Sequence, residues 1–311
     1  MDSLKNNINH KISLSIVTGF LGSGKTTLLY NYTKRLLNSN ENVKIIINEY
    51  GDTDFNSRLE QSNVNIYSIL NGCVCCDLKQ ELLAKLKYLI NQNDTQHIII
   101  EATGIAHPID IIVACQDPDI VDYIKQPMVI GVADAPRFIQ RAQYTNETME
   151  LMEAQLSVCD VILLNKMDLV NEDKAQLTTA LSSINATASV HFTEYANIEE
   201  LTFESVGQHS NMHTSYHGHH HGIERLHYKF TSPIDRQLFY QYILRLPDNV
   251  LRLKGYVKFR DEPEVTYEFQ YAYGLPDFFV IEEDKPLNVV LIGEQLDKVR
   301  LRNDLEMLQF T

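Results

Sequence analysis

The sequence predicts an α/β protein, with a large domain on a mostly parallel sheet followed by a smaller α+β domain. In the amino-terminal part, short β-branched and aliphatic runs alternate with amphipathic stretches of helical periodicity. A polar, histidine-rich stretch then interrupts this pattern, and strand-like runs predominate beyond it. The length of 311 residues also exceeds that of one typical domain. We therefore expect two domains.

The predicted elements place the domain boundaries. In the first domain, near-continuous apolar runs predict buried parallel strands at residues 12–18, 43–48, 97–101, 127–133, 161–165 and 188–192, with helices at 25–38, 78–91, 147–158 and 171–184. The second domain is expected to have strands at 223–230, 251–260, 266–273, 277–281 and 288–292, with helices at 233–245 and 294–308. The expected organisation is a first domain at 1–208, a linker at 209–222 and a second domain at 223–311.

Composition and charge narrow the class of protein. The formal net charge of −14 argues against a general electrostatic surface for nucleic acid or an anionic membrane. Nowhere do apolar residues run to the roughly 20 that a membrane-spanning helix needs, and MDSLKNNINHK lacks the apolar segment of a secretory signal. The five cysteines, three of them within four positions, make a poor disulfide framework. A cytoplasmic protein without nucleic-acid or membrane partners is expected.

A phosphate-binding loop is the strongest signal in the sequence. The segment GFLGSGKT, residues 19–26, is a complete G-x-x-x-x-G-K-[ST] motif between a β-branched strand and an amphipathic helix. In that context backbone N–H groups and the positive helix end converge on phosphate. Lys25 would bridge the β- and γ-phosphates, and the Thr26 hydroxyl would ligate Mg²⁺. Further nucleotide contacts are expected from the rest of the loop and the helix start, namely Gly19, Gly22, Ser23, Gly24 and Thr27.

A second motif predicts which base is bound. Asn165, Lys166 and Asp168 form an N-K-x-D motif at the end of the apolar run VILLN. The Asp168 carboxylate can accept from guanine N1–H and the exocyclic amino group, a donor pair that adenine lacks. Asn165 would meet the base edge, and the Lys166 stem would lie along its face. GTP is therefore the expected nucleotide, and a small-molecule kinase is disfavoured because N-K-x-D would have no role there.

A carboxylate and a glycine follow another predicted strand. Glu101 and Gly104 belong to the segment EATG, directly after the apolar run III. Glu101 would organise Mg²⁺ or its water, and the Gly104 amide would sense the γ-phosphate. An ordinary strand-to-helix turn is the alternative, but the presence of the phosphate loop favours a functional role. Lys25, Thr26 and Glu101 are the expected catalytic residues.

The cysteine cluster predicts a metal site. Cys73, Cys75 and Cys76 lie within four positions, and thiolates so close together can bind a soft or borderline cation such as Zn²⁺. The alternative is a set of small buried core residues. Three thiolates leave the fourth zinc ligand to another residue, to water or to a partner. Cys115 and Cys159, in apolar stretches, are expected in the core.

The histidine-rich linker is a second candidate for metal binding. Six of the eleven histidines fall between residues 209 and 221, where glycines disfavour a stable helix. We expect a flexible, weak metal reservoir, with a merely solvated linker as the alternative. The expected metal-binding histidines are His217, His219, His220 and His221.

The ordered set of motifs resembles the CobW-type metallochaperone GTPases. The matching segments are GFLGSGKTTLL, INEYG, NGCVCC, EATGIAHP, NKMDL and LRLKGYVKF. The resemblance implies a Rossmann-like P-loop NTPase domain, a smaller carboxy-terminal domain and a C-x-C-C motif that binds zinc or a related metal. It also implies that Glu49, in INEYG, is a carboxylate for the metal or for the Mg²⁺ shell.

Together, motifs and resemblance predict a GTPase that uses Mg²⁺ to hydrolyse GTP to GDP and phosphate and delivers Zn²⁺ to a client apo-metalloprotein. One alternative is a metal storage or regulatory protein whose metal binding ignores the nucleotide. Another is a chaperone for cobalt in a corrinoid pathway, because a thiolate loop accepts several metals. The sequence leaves the client and the oligomeric state open. No catalytic glutamine or arginine finger is evident, so slow intrinsic hydrolysis is expected.

Overall fold

A computed structural model of the chain describes residues 11–47, 64–69, 75–104, 108–201, 223–272 and 275–310. For residues 75–78 and 272 the description is limited to the backbone. The contacts divide the chain into two units, one built on the amino-terminal elements and one on the carboxy-terminal elements. Within the described ranges, none of the helices combines the length and the apolar character that crossing a membrane requires.

The first unit is a seven-stranded sheet in which every neighbouring pair of strands is parallel. Its elements are β1 (Ser13–Thr18), α1 (Lys25–Asn38), β2 (Val43–Ile47), β3 (Asn65–Ser68), α2 (Cys75–Asn91), β4 (His97–Glu101), α3 (Pro108–Ala114), β5 (Met128–Asp134), α4 (Ala135–Ile139), α5 (Asn146–Ser157), β6 (Val161–Asn165), α6 (Lys174–Ser182) and β7 (Ser189–Phe192). The strand order is β3-β2-β4-β1-β5-β6-β7. The predicted fold class is confirmed for this unit.

The strand order determines where a ligand would bind. Strands β2 and β6 are buried along their whole length, as parallel strands covered on both faces are. The sheet grows in opposite directions from β1, towards β4 and β2 on one side and towards β5 and β6 on the other. Ligands of such sheets bind at the carboxyl ends of the strands near this point. The loops after Thr18, Glu101 and Asn165 all begin at that edge.

The second unit contains an antiparallel five-stranded sheet in the order β11-β10-β9-β12-β8. Its elements are β8 (Ile223–Lys229), α7 (Arg236–Leu244), β9 (Val250–Phe259), β10 (Glu262–Ala272), β11 (Leu275–Ile281), β12 (Asn288–Glu294) and α8 (Lys298–Phe310). An aromatic core forms on one face, where Phe239 packs edge-on against Phe269 and tilted against Phe259. The predicted smaller α+β domain is thus confirmed.

An acidic segment, Gln116–Asp122, belongs to the second unit although it follows α3 in the chain. Lys254 alternates along β9 with the core residue Leu253, so its side chain points away from the aromatic core. There Asp117 Oδ2 lies 2.8 Å from Lys254 Nζ. Asp122 and Asp119 pair with two further lysines, at 2.6 Å from Lys229 and 3.5 Å from Lys285. We call Gln116–Asp122 the acidic strap.

Three predicted helices begin too early, two because a residue inside the predicted range caps the true start and one because its first residue ends a strand. Asp173 accepts from the Ala175 amide, so α6 begins at Lys174 rather than at 171. Asp235 accepts from the Leu238 amide, so α7 begins at Arg236 rather than at 233. Glu294, predicted to open the last helix, ends β12 instead, where its amide donates to the Asn249 carbonyl. Short polar side chains favour such caps over helix interiors.

Two further differences from the sequence prediction concern β3 and the start of α2. Strand β3 was not predicted, because NIYS is short and only partly buried. Helix α2 begins at Cys75, three residues before the predicted start at 78. Cys75 and Cys76 therefore lie in the first turn of this helix and not before its start.

Candidate functional site

The loop between β1 and α1 has the backbone conformation that a phosphate-binding loop requires. Gly19, Gly22 and Gly24 have φ angles of 141°, 72° and 108°, which only glycine adopts readily. A Cβ on Gly19 would lie 2.1 Å from the Val132 carbonyl oxygen. Helix α1 then begins without a side-chain cap and without an acidic residue in its first turn. Its positive end therefore favours an anion.

Three expected catalytic residues meet behind this loop. The Lys25 ammonium is buried and donates to the carbonyls of Gly19 at 2.8 Å and Phe20 at 3.2 Å. Burial lowers the pKa of Lys25, and the nearby charge of Glu101 opposes that effect. The Thr26 hydroxyl donates to Glu101 Oε1 at 3.3 Å. A hydroxyl and a carboxylate oxygen side by side are hard ligands and fit Mg²⁺.

The EATG segment touches the phosphate loop directly. A Cβ on Gly104 would lie 2.8 Å from the Leu21 amide nitrogen, so only glycine allows this approach. The Gly104 carbonyl accepts from Gln155 Nε2 at 3.0 Å, which fixes the segment from its other side. A displacement of Gly104 would therefore also displace the backbone of the phosphate loop at Leu21.

Two further predicted nucleotide contacts differ in their surroundings. The Ser23 hydroxyl is buried and has no hydrogen-bond partner among the residues that the structure describes. Thr27 lies exposed in the first turn of α1. Both residues lie at the loop, and their contact with a nucleotide stays a prediction.

The N-K-x-D motif packs against the phosphate loop. Asn165 Nδ2 donates to the Ser23 carbonyl at 2.9 Å, and its Oδ1 accepts from the Ala196 amide at 2.8 Å. Lys166 Nζ donates to the Gly22 carbonyl at 2.7 Å. Asp168 is exposed in a 3-10 turn, Met167–Leu169, with its carboxylate accessible to a base. Asn165 thus ties the loop to the segment after β7, and its contact with the base stays a prediction.

Sequence reasoning missed two residues that complete this edge of the sheet. Asp134, buried at the end of β5, accepts from Lys166 Nζ at 2.6 Å and from the Arg137 amide at 3.0 Å. The Arg137 guanidinium donates to the Leu21 carbonyl. Asp134 had a signal in the sequence, since this carboxylate directly follows the predicted strand at 127–133. Arg137 had none, because its placement depends on the packing of α4.

The structure describes the predicted metal ligands only in part. Glu49, Cys73 and the four histidines lie outside the described residues, and for Cys75 and Cys76 only the backbone is described. Within the described ranges, no group of three or more His, Cys, Asp or Glu side chains could hold a metal ion. Cys115 and Cys159 are free and buried, and burial raises the pKa of both thiols. Their assignment to the core is confirmed.

Comparisons with known proteins agree with these motifs. Residues 13–192 match the family described as CobW/HypB/UreG, nucleotide-binding domain, and residues 223–309 match the cobalamin synthesis protein cobW C-terminal domain. The zinc-regulated GTPase metalloprotein activator 1 of Dictyostelium discoideum is 27% identical over 310 residues, covering 82% of this chain and 64% of that protein. The zinc chaperone YjiA of Escherichia coli is 27% identical over 319 residues, covering 94% of this chain and 96% of that protein.

Other relatives match over a shorter span. The zinc chaperone CobW of Pseudomonas aeruginosa is 31% identical over 189 residues, covering 51% of this chain and 49% of that protein. The chain thus spans about half the length of that relative and 64% of the Dictyostelium protein. A crystal structure of Zn(II)-bound YjiA GTPase aligns with a TM-score of 0.46 at 23% identity, over 96% of this chain and 99% of that one. Because the nucleotide-binding match covers more than half of its residues, this chain belongs to the CobW/HypB/UreG family.

Proposed function

We propose that this chain is a GTP-hydrolysing metallochaperone that binds zinc at Cys73, Cys75 and Cys76 and delivers it to a client metalloprotein. The nucleotide part rests on one observation, the convergence of the phosphate loop, Glu101 and the N-K-x-D motif at one edge of the parallel sheet. The zinc part rests on the cysteine motif and on similar proteins named as zinc chaperones. Glu49 is proposed as a further carboxylate near the metal or Mg²⁺.

The arrangement supports phosphate-ester hydrolysis by positioning and charge. Lys25 would exchange its carbonyl partners at Gly19 and Phe20 for phosphate oxygens. Its burial strengthens the attraction, since charges interact more strongly away from water. Thr26 and Glu101 would hold Mg²⁺, which when bound neutralises charge on the β- and γ-phosphates. The exposed Asp168 would select guanine.

A chain of contacts connects the nucleotide edge with the cysteine segment. Gly104 packs on the phosphate loop, and α3 begins four residues after it. Asp110, in the first turn of α3, lies 2.6 Å from Lys79 on α2. Helix α2 carries Cys75 and Cys76 in its own first turn. A shift of about 1 Å would be large against a Zn–S bond of about 2.3 Å, so the state of the nucleotide would change the affinity for zinc.

Zinc affinity in different nucleotide states tests the proposal. The dissociation constant for zinc would be measured for the nucleotide-free protein and for its complexes with GDP and a non-hydrolysable GTP analogue. Coupling between two sites typically changes affinity by about 5- to 150-fold, and we expect a difference in that range. The same zinc affinity in all three states would refute the coupling.

Two sets of variants separate the nucleotide site from the metal site. Lys25→Ala should lower GTP hydrolysis by roughly 10²- to 10³-fold, because it removes a preorganised charge from the phosphates. Changing Cys73, Cys75 and Cys76 to Ser should remove tight zinc binding and spare nucleotide binding. Each variant is the control for the other, since each should leave the opposite site intact.

Metal transfer to purified apo-metalloproteins distinguishes the remaining functions. Transfer of zinc that depends on GTP supports the chaperone function. Tight zinc binding without transfer, and without response to nucleotide, would indicate a storage or regulatory protein. Preferential transfer of cobalt would indicate the corrinoid alternative.

A further inference from the structure

The short helix α4 places the side chain of Arg137 against the phosphate loop. Asp134 caps α4 by accepting from the Arg137 amide at 3.0 Å, and a proline in the first turn starts the helix immediately after β5. The Arg137 guanidinium donates to the Leu21 carbonyl. A Cβ on Gly22 would lie 3.4 Å from Arg137 Nη1 and 3.5 Å from Nη2. The guanidinium therefore lies against the backbone of residues 21 and 22.

Those two residues belong to the stretch whose amides surround the α- and β-phosphates of a bound nucleotide. Arg137 is thus a further positive charge at the loop besides Lys25 and Lys166, and a guanidinium keeps its charge at any ordinary pH. Its side chain is 39% exposed and so remains accessible to an anion.

Asp134 does not form a close ion pair with Arg137. Asp134 Oδ2 is 3.9 Å from Arg137 Nε but only 2.6 Å from Lys166 Nζ, so the carboxylate is bound mainly to the lysine. A guanidinium has five N–H donors, and the Leu21 carbonyl accepts from Nη1 alone. The cap of α4 uses the backbone amide of Arg137, so a contact between the guanidinium and phosphate would not require the cap to break.

We propose that Arg137 is a catalytic residue that this chain supplies to its own GTP. Its guanidinium contacts oxygens of the β-phosphate and stabilises the charge that develops there in the transition state. This inference rests on the proposed hydrolysis of GTP and supplies an arginine that no sequence motif identifies.

The reaction itself needs no bond to Arg137. The oxygen of water forms a bond to the γ-phosphorus, and the bond from that phosphorus to the β–γ bridging oxygen breaks. Its electron pair stays on the bridging oxygen, which becomes part of the GDP β-phosphate. One proton of the water stays on the released phosphate and the other passes to solvent. Arg137 donates hydrogen bonds that become stronger as the bridging oxygen gains charge.

The alternative role for Arg137 is a structural brace of the phosphate loop. A brace would affect the binding of GDP and GTP and the thermal stability, whereas a catalytic contact would act chiefly on kcat. Arg141, one turn further along, provides a matched control. Its guanidinium carbon lies 4.3 Å from the centre of the Phe138 ring, and its Nε lies 3.3 Å from Glu153 Oε1.

The test compares Arg137→Ala, Arg137→Lys and Arg141→Ala in the full chain. We measure kcat and KM for GTP and the affinities for GDP alone and for GDP with aluminium fluoride, a mimic of the transition state. Arg137→Ala should lower kcat roughly 100-fold and leave the affinity for GDP unchanged. It should also lose the tighter binding that aluminium fluoride confers.

Two further readouts separate chemistry from folding. Added guanidinium ion should restore part of the kcat of Arg137→Ala, which a lost brace would not allow. Arg137→Lys keeps a positive charge without the planar fork, so it should remain well below wild type. Arg141→Ala should match wild type in kcat.

The outcomes distinguish this inference from the proposed function. Wild type that hydrolyses GTP no faster than Lys25→Ala would overturn both. Wild type that hydrolyses GTP, with Arg137→Ala equal to it in kcat, would overturn only the role of Arg137. Weaker binding of GDP and GTP by the same factor, with kcat unchanged, would also overturn it and leave a brace. If Arg137→Ala does not fold, Arg137→Lys is measured in its place. A wild-type kcat for Arg137→Lys, with no response to added guanidinium ion, would overturn the catalytic role of Arg137.

Discussion

His97 stands at the centre of a buried polar cluster in the first unit. Its Nδ1 donates to Glu41 Oε2 at 3.3 Å, and its Nε2 lies 2.9 Å from Ser15 Oγ, which is 3.1 Å from the Tyr32 hydroxyl. Burial raises the pKa of Tyr32 to about 12, although the hydrogen bond with Ser15 opposes this shift. The cluster links β1, α1 and β4, so the ionisation of Glu41 and Tyr32 is coupled to folding.

Glu41 should make the protein sensitive to acid. The hydrogen bond from His97 lowers the pKa of Glu41 below its ordinary value of 4.5, despite partial burial. A carboxyl group whose pKa is lowered by folding stabilises the folded state above its unfolded pKa, and this stabilisation is lost as pH falls through the folded value. Glu41→Gln should therefore flatten the pH dependence of the free energy of unfolding below about pH 4.5.

Urea unfolding at a series of pH values would measure this effect. The variant is expected to be less stable than wild type near neutral pH and to approach it in acid. A Glu41→Gln protein whose free energy of unfolding falls with acid as steeply as that of wild type would contradict the assignment.

Among the elements, the acidic strap is held by ion pairs with lysines of the second unit. Asp117 is 8% exposed and Lys254 has a side-chain exposure of 16%, so both ends of this ion pair are largely removed from water. Burial opposes the charged form of Lys254, but Asp117 and Glu268 more than compensate, and the pKa of Lys254 is raised. Removing one member of such a pair leaves a buried charge without its partner.

Lys254→Ala should therefore destabilise the second unit by about 3 kcal/mol. The matched control is Lys258→Ala, since Lys258 also lies on β9 and pairs at 3.2 Å with Asp284, whose side chain is 88% exposed. An exposed pair contributes about 0–1 kcal/mol, so the control should change little. Thermal and urea unfolding of both variants would measure the difference in stability. Equal losses of stability in the two variants would show that burial of the Asp117–Lys254 pair does not increase its contribution.

At the scale of the whole molecule, we predict that the histidine-rich linker stores metal and takes no part in GTP hydrolysis. Replacing residues 209–221 by a Gly/Ser segment of equal length removes six histidines and keeps the length of the linker. We expect a lower zinc stoichiometry by equilibrium dialysis, with GTP hydrolysis unchanged. In wild type, loading should fall below about pH 6.5, because protonated imidazole does not bind metal. An unchanged stoichiometry would identify the segment as a linker only.

The local part of the nucleotide site could be predicted from the sequence alone. The glycines at 19, 22 and 24 permit the positive φ angles of the loop, and the apolar runs before and after them predict a strand and a helix. Likewise, the N-K-x-D and EATG segments follow buried strands in a parallel sheet, so their placement at one edge follows from the topology. The loop conformation depends on neighbours within a few positions, and the shared edge requires only that the strands run parallel.

The tertiary structure alone decided which side chains meet across long stretches of chain. Arg137 reaches residue 21, Asp134 accepts from Lys166, and Asp117 pairs with Lys254 more than a hundred positions away. Hydrophobic periodicity determines the face of a helix or strand, but it does not specify the partner packed against that face. That partner depends on strand order and on how the strands are aligned, which are properties of the folded chain as a whole. Local conformation is therefore set by the sequence, and the assembly of the site by packing.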